Sequence, residues 1–310
     1  MYSRRDFGKL ALAGLPLSIA SAQSRSGNAS GKWIDSVIGG VQIGAQSYSF
    51  RELPPDEMIA AFAKIGLGEC ELWQGNIEPP EPNPFHAPYP WQPPLVNREE
   101  LRAWRLNTPL DFYRDLKAKF DAAGVRLYAY NYSFKDDFTD EEIELGFQAA
   151  KAMDCELITA SSTVSVTPRL VPFAEKHGMP IAFHNHEKAE ETNEYATPDR
   201  FEKAMSLSDL FMINLDIGHF VAAGFDPVDY IREHHAKIPV IHLKDRPSNT
   251  RERTANSPWG EGDTPIVEVL QLIQREHYPI IANIEYEYRG KSDPVTEVTK
   301  CFDYCKEALT

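Results

Sequence analysis

Cationic side chains are in short supply in this 310-residue chain. Its 32 Lys and Arg stand against 46 Asp and Glu, for a formal charge of −14. Such a chain repels phosphate backbones, which argues against a nucleic-acid substrate. Cysteine is sparse as well, at four residues. Cys301 and Cys305 fall in an expected helix, where they would pack rather than bridge, and Cys70 and Cys155 border expected strands as buried thiols. No glycine-rich phosphate loop follows the first expected strand. Ile43-Gly44-Ala45-Gln46-Ser47 lacks the fingerprint that a doubly wound, dinucleotide-binding sheet would want there. Long apolar runs are also missing, and the stretch Leu10 to Ala20 is too short to span a bilayer as a mature helix.

That stretch reads instead as part of a targeting signal. Ser3-Arg4-Arg5-Asp6-Phe7-Gly8-Lys9 matches a twin-arginine export motif, and an A-x-A site follows the apolar segment at Ala20-Ser21-Ala22. Residues 1–22 are therefore expected to be a signal peptide, 23–32 a flexible leader, and 33–310 the folded domain. Cleavage would release a periplasmic or secreted protein, with no lipobox cysteine and no membrane attachment in the mature form. Losing three cations and one anion moves the formal charge from −14 to −16. Neutral or cationic small molecules suit such a protein better than polyanions.

What the chain has in quantity is alternation. Strand-like segments are expected at Val41–Gln46, Glu69–Trp73, Arg126–Asn131, Glu156–Ala160, Pro180–His184, Phe211–Asp216, Pro239–Leu243 and Ile280–Glu285. Amphipathic segments separate them, several opening on a capping residue before proline, as in Thr197-Pro198, Asp226-Pro227 and Asp293-Pro294. Eight such units in series predict an α/β fold of the (β/α)8 barrel type, a TIM barrel in a single domain. One region breaks the rhythm. Gln74 to Asn107 holds eight prolines between Pro79 and Pro94 and is expected to be neither helix nor central strand, lying as a wall or lid over the barrel mouth, or packing elsewhere on the surface.

Four apolar runs in the second half end in metal-binding side chains: Phe183-His184-Asn185-His186, Leu215-Asp216-Ile217-Gly218-His219, Ile241-His242-Leu243-Lys244 and Asn283-Ile284-Glu285. In a (β/α)8 barrel the C-terminal strand ends converge on one mouth. His184, Asp216, His242 and Glu285 are therefore the expected ligands of one divalent metal. Strand parity leaves His186 open as an alternative to His184, and Glu287 as an alternative to Glu285. Two imidazoles with two carboxylates suit Mn²⁺, Co²⁺, Zn²⁺ or Fe²⁺ better than Ca²⁺, and purely structural zinc draws more on cysteine. Mn²⁺ is the first expectation, with Mg²⁺ also open.

These motifs, with the opening Val41-Gln42-Ile43-Gly44-Ala45-Gln46-Ser47-Tyr48-Ser49-Phe50 and Gly260-Glu261-Gly262, resemble the xylose isomerase-like TIM barrel superfamily, and within it the sugar phosphate isomerase/epimerase family. The resemblance covers residues 33–310. It implies one divalent metal held by the last four strands, and in the family's ketose epimerases two glutamates that ligate and move a proton beside a carbonyl. Glu285 matches the eighth-strand glutamate, whereas His184 stands where those epimerases carry the fifth-strand one. The second proton-transfer group would then be His186, His219 or Lys244.

The expected activity is a metal-dependent isomerisation or epimerisation of a non-phosphorylated sugar through an enediolate. The alternative is β-elimination from a 3-keto sugar or 3-keto glycoside, and a non-catalytic sugar-binding barrel is the reading of another class. His186, Glu285, Lys244 and His219 are the candidate catalytic residues. Glu71, Trp73, Asn131, His219 and Trp259 are the candidate substrate contacts, with the tryptophans as platforms for a sugar face. The expected partner is a small sugar or glycoside, and a homo-oligomer is left open.

Overall fold

A computed structural model describes residues 33–82, 88–250, 252 and 255–310. The expected signal peptide and leader, and Pro84 of the proline run, lie outside the described residues. Eight parallel strands close on themselves: β2 (Val41–Gln46), β3 (Glu69–Trp73), β4 (Arg126–Asn131), β5 (Leu157–Ala160), β6 (Ile181–His184), β7 (Phe211–Asp216), β8 (Val240–Leu243) and β9 (Ile281–Ile284). Each pairs with the next, and β9 returns to β2 through Ile43↔Ala282 and Gly44↔Asn283. The chain is thus a TIM barrel, as its alternation predicts. An added two-residue strand, β1 (Val37–Ile38), folds antiparallel onto β2. The turn between them is Gly39-Gly40, both at positive φ, and a Cβ on Gly39 would run into the Gln274 amide and the Leu309 carbonyl.

Helices α1 (Pro55–Ile65), α2 (Arg98–Asn107), α3 (Leu110–Ala122), α4 (Asp140–Ala152), α5 (Thr167–His177), α6 (Pro198–Met205), α7 (Ile217–Ala222), α8 (Pro227–His234), α9 (Ile266–Glu276) and α10 (Pro294–Leu309) cover the outside. Apolar residues between the helices and the outer strand faces form the main core. Inside the barrel a smaller cluster of Tyr128, Ala129, Leu157, Ala182, Met212, Val240 and Ile281 fills the lower lumen. Two residues further along the strands the inward positions turn polar, at Thr159, His184, Asn214, His242 and Asn283. Two further still they become Ser161, His186, Asp216, Lys244 and Glu285. Polarity therefore rises toward the mouth. All four cysteines are free and buried.

Two helices depart from expectation. The first, α2, forms inside the segment expected to be irregular. Its prolines stop at Pro94, and Asn97 and Glu100 then make a reciprocal capping box that starts the helix. The second, α7, begins at the very end of β7, with Asp216 as its N-cap accepting from the His219 amide at 2.7 Å. Gly218 does not make a turn there. A Cβ would meet the Lys244 carbonyl at 2.7 Å, so glycine is what lets α7 approach β8.

The segment carrying α2 is tied to the barrel by buried charge. Arg105 holds Glu78 through two hydrogen bonds of 2.9 and 2.7 Å. Glu142 on α4 receives Arg98 at 2.8 Å, Arg102 at 3.0 Å and Arg105 at 3.3 Å. Burial opposes ionisation of Glu142, but the Thr139 amide and the arginines outweigh it and lower its pKa. A carboxyl lowered on folding contributes stability above its unfolded pKa and loses it as pH falls through the folded value. Glu142→Gln should therefore destabilise the protein by about 1–2 kcal/mol at neutral pH, because three guanidinium groups lose a shared buried carboxylate while Arg105 keeps Glu78, Arg98 keeps Asp137 and Arg102 keeps Glu99. Hydrogen exchange should show α2 losing protection before the barrel strands, both in that variant and in the parent protein on acidification below the glutamate range. Uniform protection across α2 and β4 would refute the anchoring role.

Candidate metal centre

The axis of the barrel is occupied by a carboxylate. Glu71 Oε1 accepts from Gln46 Nε2 at 2.8 Å, Thr159 Oγ1 at 2.5 Å, and Asn131 and Asn214 Nδ2 at 3.3 Å each. Its Oε2 is 2.7 Å from both His242 Nε2 and Asn283 Nδ2. These partners come from β2, β4, β5, β7, β8 and β9, so only a group on the axis could reach them all. Glu71 is fully buried, and its burial is outweighed by His242, which lowers its pKa. No face of it is left for a substrate. The expectation that Glu71 contacts a sugar is corrected on this ground.

Above Glu71, ligand atoms of His184, Asp216, His242 and Glu285 lie within 4.8 Å of one another, and all four residues are buried. The strand ends thus bring together the four residues chosen from the sequence as ligands. His184 Nε2 is buried without a hydrogen bond and faces Asp216 Oδ2 at 3.5 Å, an oxygen that otherwise meets the Lys244 ammonium at 2.9 Å. His242 Nδ1 is 3.1 Å from Glu285 Oε2, and His184 Nε2 is 4.0 Å from the same oxygen. Buried polar atoms rarely stay unanswered, and a divalent cation fits this donor set of two imidazoles and two carboxylates. His186 lies beside the cluster rather than in it. Its ring centre is 5.2 Å from that of His184, and its Nδ1 is 3.4 Å from Glu194.

Lys244 closes one side. Its Nζ stands 2.9 Å from Asp216, 2.8 Å from Glu285 and 2.6 Å from Glu287. Burial works against its charge, but Asp216, Glu285 and Glu287 prevail and raise its pKa. His219 behaves oppositely. Burial, with the Lys244 and Arg246 cations, pushes its pKa well down against the pull of Asp216. Glu187 lies 3.0 Å from its Nδ1, Arg246 contacts the same nitrogen, and its Nε2 is 3.1 Å from Lys244 Nζ. Neutral imidazole and charged ammonium therefore share one mouth. Glu187, Glu194 and Arg246 escaped the sequence reading because they sit on loops, where no periodicity fixes direction.

A cavity of about 680 Å³ opens above the cluster, lined by Trp73, Tyr48, Asn131, His186, His219 and Tyr288 among others. Trp73 stands edge-on to Tyr48, with ring centres 4.8 Å apart. Trp259 is absent from that wall, which corrects its expected role as a sugar platform at the mouth. Asp245 accepts from the Gly260 and Gly262 amides at 2.8 and 3.0 Å, drawing the turn aside. Trp259 then packs edge-on to Tyr304 and lines a second cavity of about 350 Å³.

Comparison with known proteins gives this geometry its context. The chain is 27% identical to an inosose dehydratase of Clostridium beijerinckii over 151 residues, covering 40% of this chain and 49% of that protein. The chain thus spans about half the length of the curated relatives it matches. In fold it is similar to the IolI protein crystallised with a bound zinc atom, at TM-score 0.63 and 13% identity, covering 87% of this chain and 99% of that one. A sugar phosphate isomerase/epimerase from Parabacteroides distasonis aligns at TM-score 0.58 and 16% identity, covering 85% of this chain and 95% of that one. The family model described as xylose isomerase-like TIM barrel matches residues 91–307, well over half of the sequence. The chain belongs to the xylose isomerase-like TIM barrel family.

Proposed function

We propose that the protein is a divalent-metal-dependent lyase of non-phosphorylated keto sugars or keto glycosides, removing a proton beside a carbonyl and expelling a β-substituent. The observation that carries this reading is geometric: His186, its ring centre 5.2 Å from that of His184, and the Lys244 amine, 2.9 Å from Asp216 and 2.8 Å from Glu285, line one cavity above the four clustered ligands. A metal held by His184, Asp216, His242 and Glu285 would act as a Lewis acid on the carbonyl oxygen.

The chain's own residues supply the rest. His186, oriented through Glu194, takes the proton from the carbon next to the carbonyl. The C–H electron pair becomes a C=C bond, and the bond from the β-carbon to its oxygen substituent breaks. The proton taken by His186 is returned, directly or through water, to the departing oxygen, and the Lys244 ammonium, 2.8 Å from Glu285 and 2.9 Å from Asp216, stabilises that oxygen's charge without giving up its own proton. Trp73, Tyr48 and Tyr288 offer apolar ring surface to the sugar, and Asn131 lines the same wall. Arg51 is spent on the Tyr48 and Tyr286 carbonyls and Lys135 on that of Ser161. Lys244, a third cation of the wall, is taken up by Asp216, Glu285 and Glu287. The inosose dehydratase relative performs an elimination by name, which favours this outcome. The isomerase or epimerase expected from the sequence shares the first step and differs in returning the proton to the sugar. His184, in place of a second glutamate base, weighs against it. Export through the signal expected in residues 1–22 would place the enzyme outside the cytoplasm, where phosphorylated sugars are scarce.

Two measurements test the proposal. Protein stripped with chelator and reloaded should bind one Mn²⁺, Co²⁺ or Zn²⁺ per chain by equilibrium dialysis. Asp216→Asn keeps the helix cap but loses the charge, and should weaken binding by more than about 100-fold. Unchanged affinity would remove Asp216 from the centre. Proton NMR in D₂O with free sugars, 3-keto sugars and 3-keto glycosides then decides the reaction. Release of water or aglycone supports the lyase, deuterium entering an intact sugar means an isomerase or epimerase, and no exchange beside tight metal binding means a sugar-binding barrel.

A further inference from the structure

Among the four clustered residues, His242 alone is gripped from behind by a buried carboxylate. Its Nε2 is 2.7 Å from Glu71 Oε2, while its Nδ1 faces the cluster, 3.1 Å from Glu285 Oε2. Glu71 is an acceptor on both oxygens, already facing donors from five other strands, and cannot turn away. Asn214 Nδ2 comes to 3.1 Å of the same imidazole nitrogen but donates to Glu71 Oε1. The carboxylate is thus the acceptor for an Nε2 proton, and an imidazole with hydrogen on Nε2 carries its lone pair on Nδ1. His184 has no such support. Its Nδ1 meets only the Ser161 hydroxyl, at 3.4 Å.

We infer that Glu71 is the positioning residue of the metal centre, holding the Nε2 proton of His242 so that this histidine ligates through Nδ1. The inference rests on the metal-centre reading above and goes beyond it, since it assigns a function to a residue that no substrate or metal touches. A carboxylate behind a ligating histidine fixes its tautomer and raises its basicity, and loss of such a partner typically weakens metal binding by about 10- to 100-fold.

The first test needs no substitution at Glu71. Protein labelled with ¹⁵N-histidine and loaded with ¹¹³Cd²⁺ should show cadmium coupling to the Nδ1 of His242, identified by its loss in His242→Gln. The same ring should show a slowly exchanging, downfield Nε2 proton. Coupling to Nε2 instead would overturn the assignment. The second test compares Co²⁺ affinity across a cycle of Glu71→Gln, His242→Gln and the double variant. A loss of about 10- to 100-fold in Glu71→Gln, absent when His242 is already replaced, supports action through His242. An equal loss in both backgrounds would make Glu71 a packing residue, and no loss would remove it from the centre. Parent protein that binds no cation takes down the metal reading itself, whereas binding that ignores Glu71→Gln sinks only this inference.

Discussion

A carboxylate buried on the axis of a closed barrel must be met by donors from the strands around it, or the barrel will not tolerate it. Glu71 is met from six of them. The requirement governs the composition of an entire layer: Gln46, Asn131, Thr159, Asn214 and Asn283 are where they are because each has an N–H or O–H to give. Apolar residues below fill space, as in other barrels of this type. Charged residues stand above, at the mouth. The polar layer between is a joint that transmits the position of the rigid floor to the mouth.

The mouth itself is built on opposed charge states in close quarters. Asp216, Glu285 and Glu287 surround one ammonium, and the histidines beside it are flanked by carboxylates at Glu187 and Glu194. The carboxylates thus outnumber the cations at the core of the site. A cluster of carboxylates of this kind favours a bound cation.

Much of this was legible in the sequence because the strands announce themselves. Apolar runs of four to six residues between capped helices place β2 through β9 within a residue of their observed ends, and the period of two along a strand selects His184, Asp216, His242 and Glu285 as neighbours. Periodicity is silent on distance across the barrel. Nothing near Glu71 in the chain says that its partner is His242, 171 positions away, so a residue of the inner framework looked like a substrate contact. Loops defeat the method for another reason. Trp259 sits wherever the Asp245 clasp on Gly260 and Gly262 pulls its turn, and that clasp is a tertiary fact. Helix α2 was hidden by the prolines before it, although the Asn97–Glu100 capping pattern that starts it stands openly in the sequence.

Between β3 and β4 the ladder steps from Cys70↔Leu127 to Glu71↔Ala129, leaving Tyr128 as an extra residue. That single surplus residue lets Tyr128 join the lumen cluster, its hydroxyl 2.7 Å from Asn283, while Asn131 still reaches Glu71. Strand β4 is therefore locked in length as well as at Asn131. Its other positions can drift gradually, but losing or gaining one codon would exchange inside and outside along the strand and carry Asn131 off the axis. The evolutionary history of this barrel should show substitutions in β4, and insertions or deletions only in the loops on either side of it.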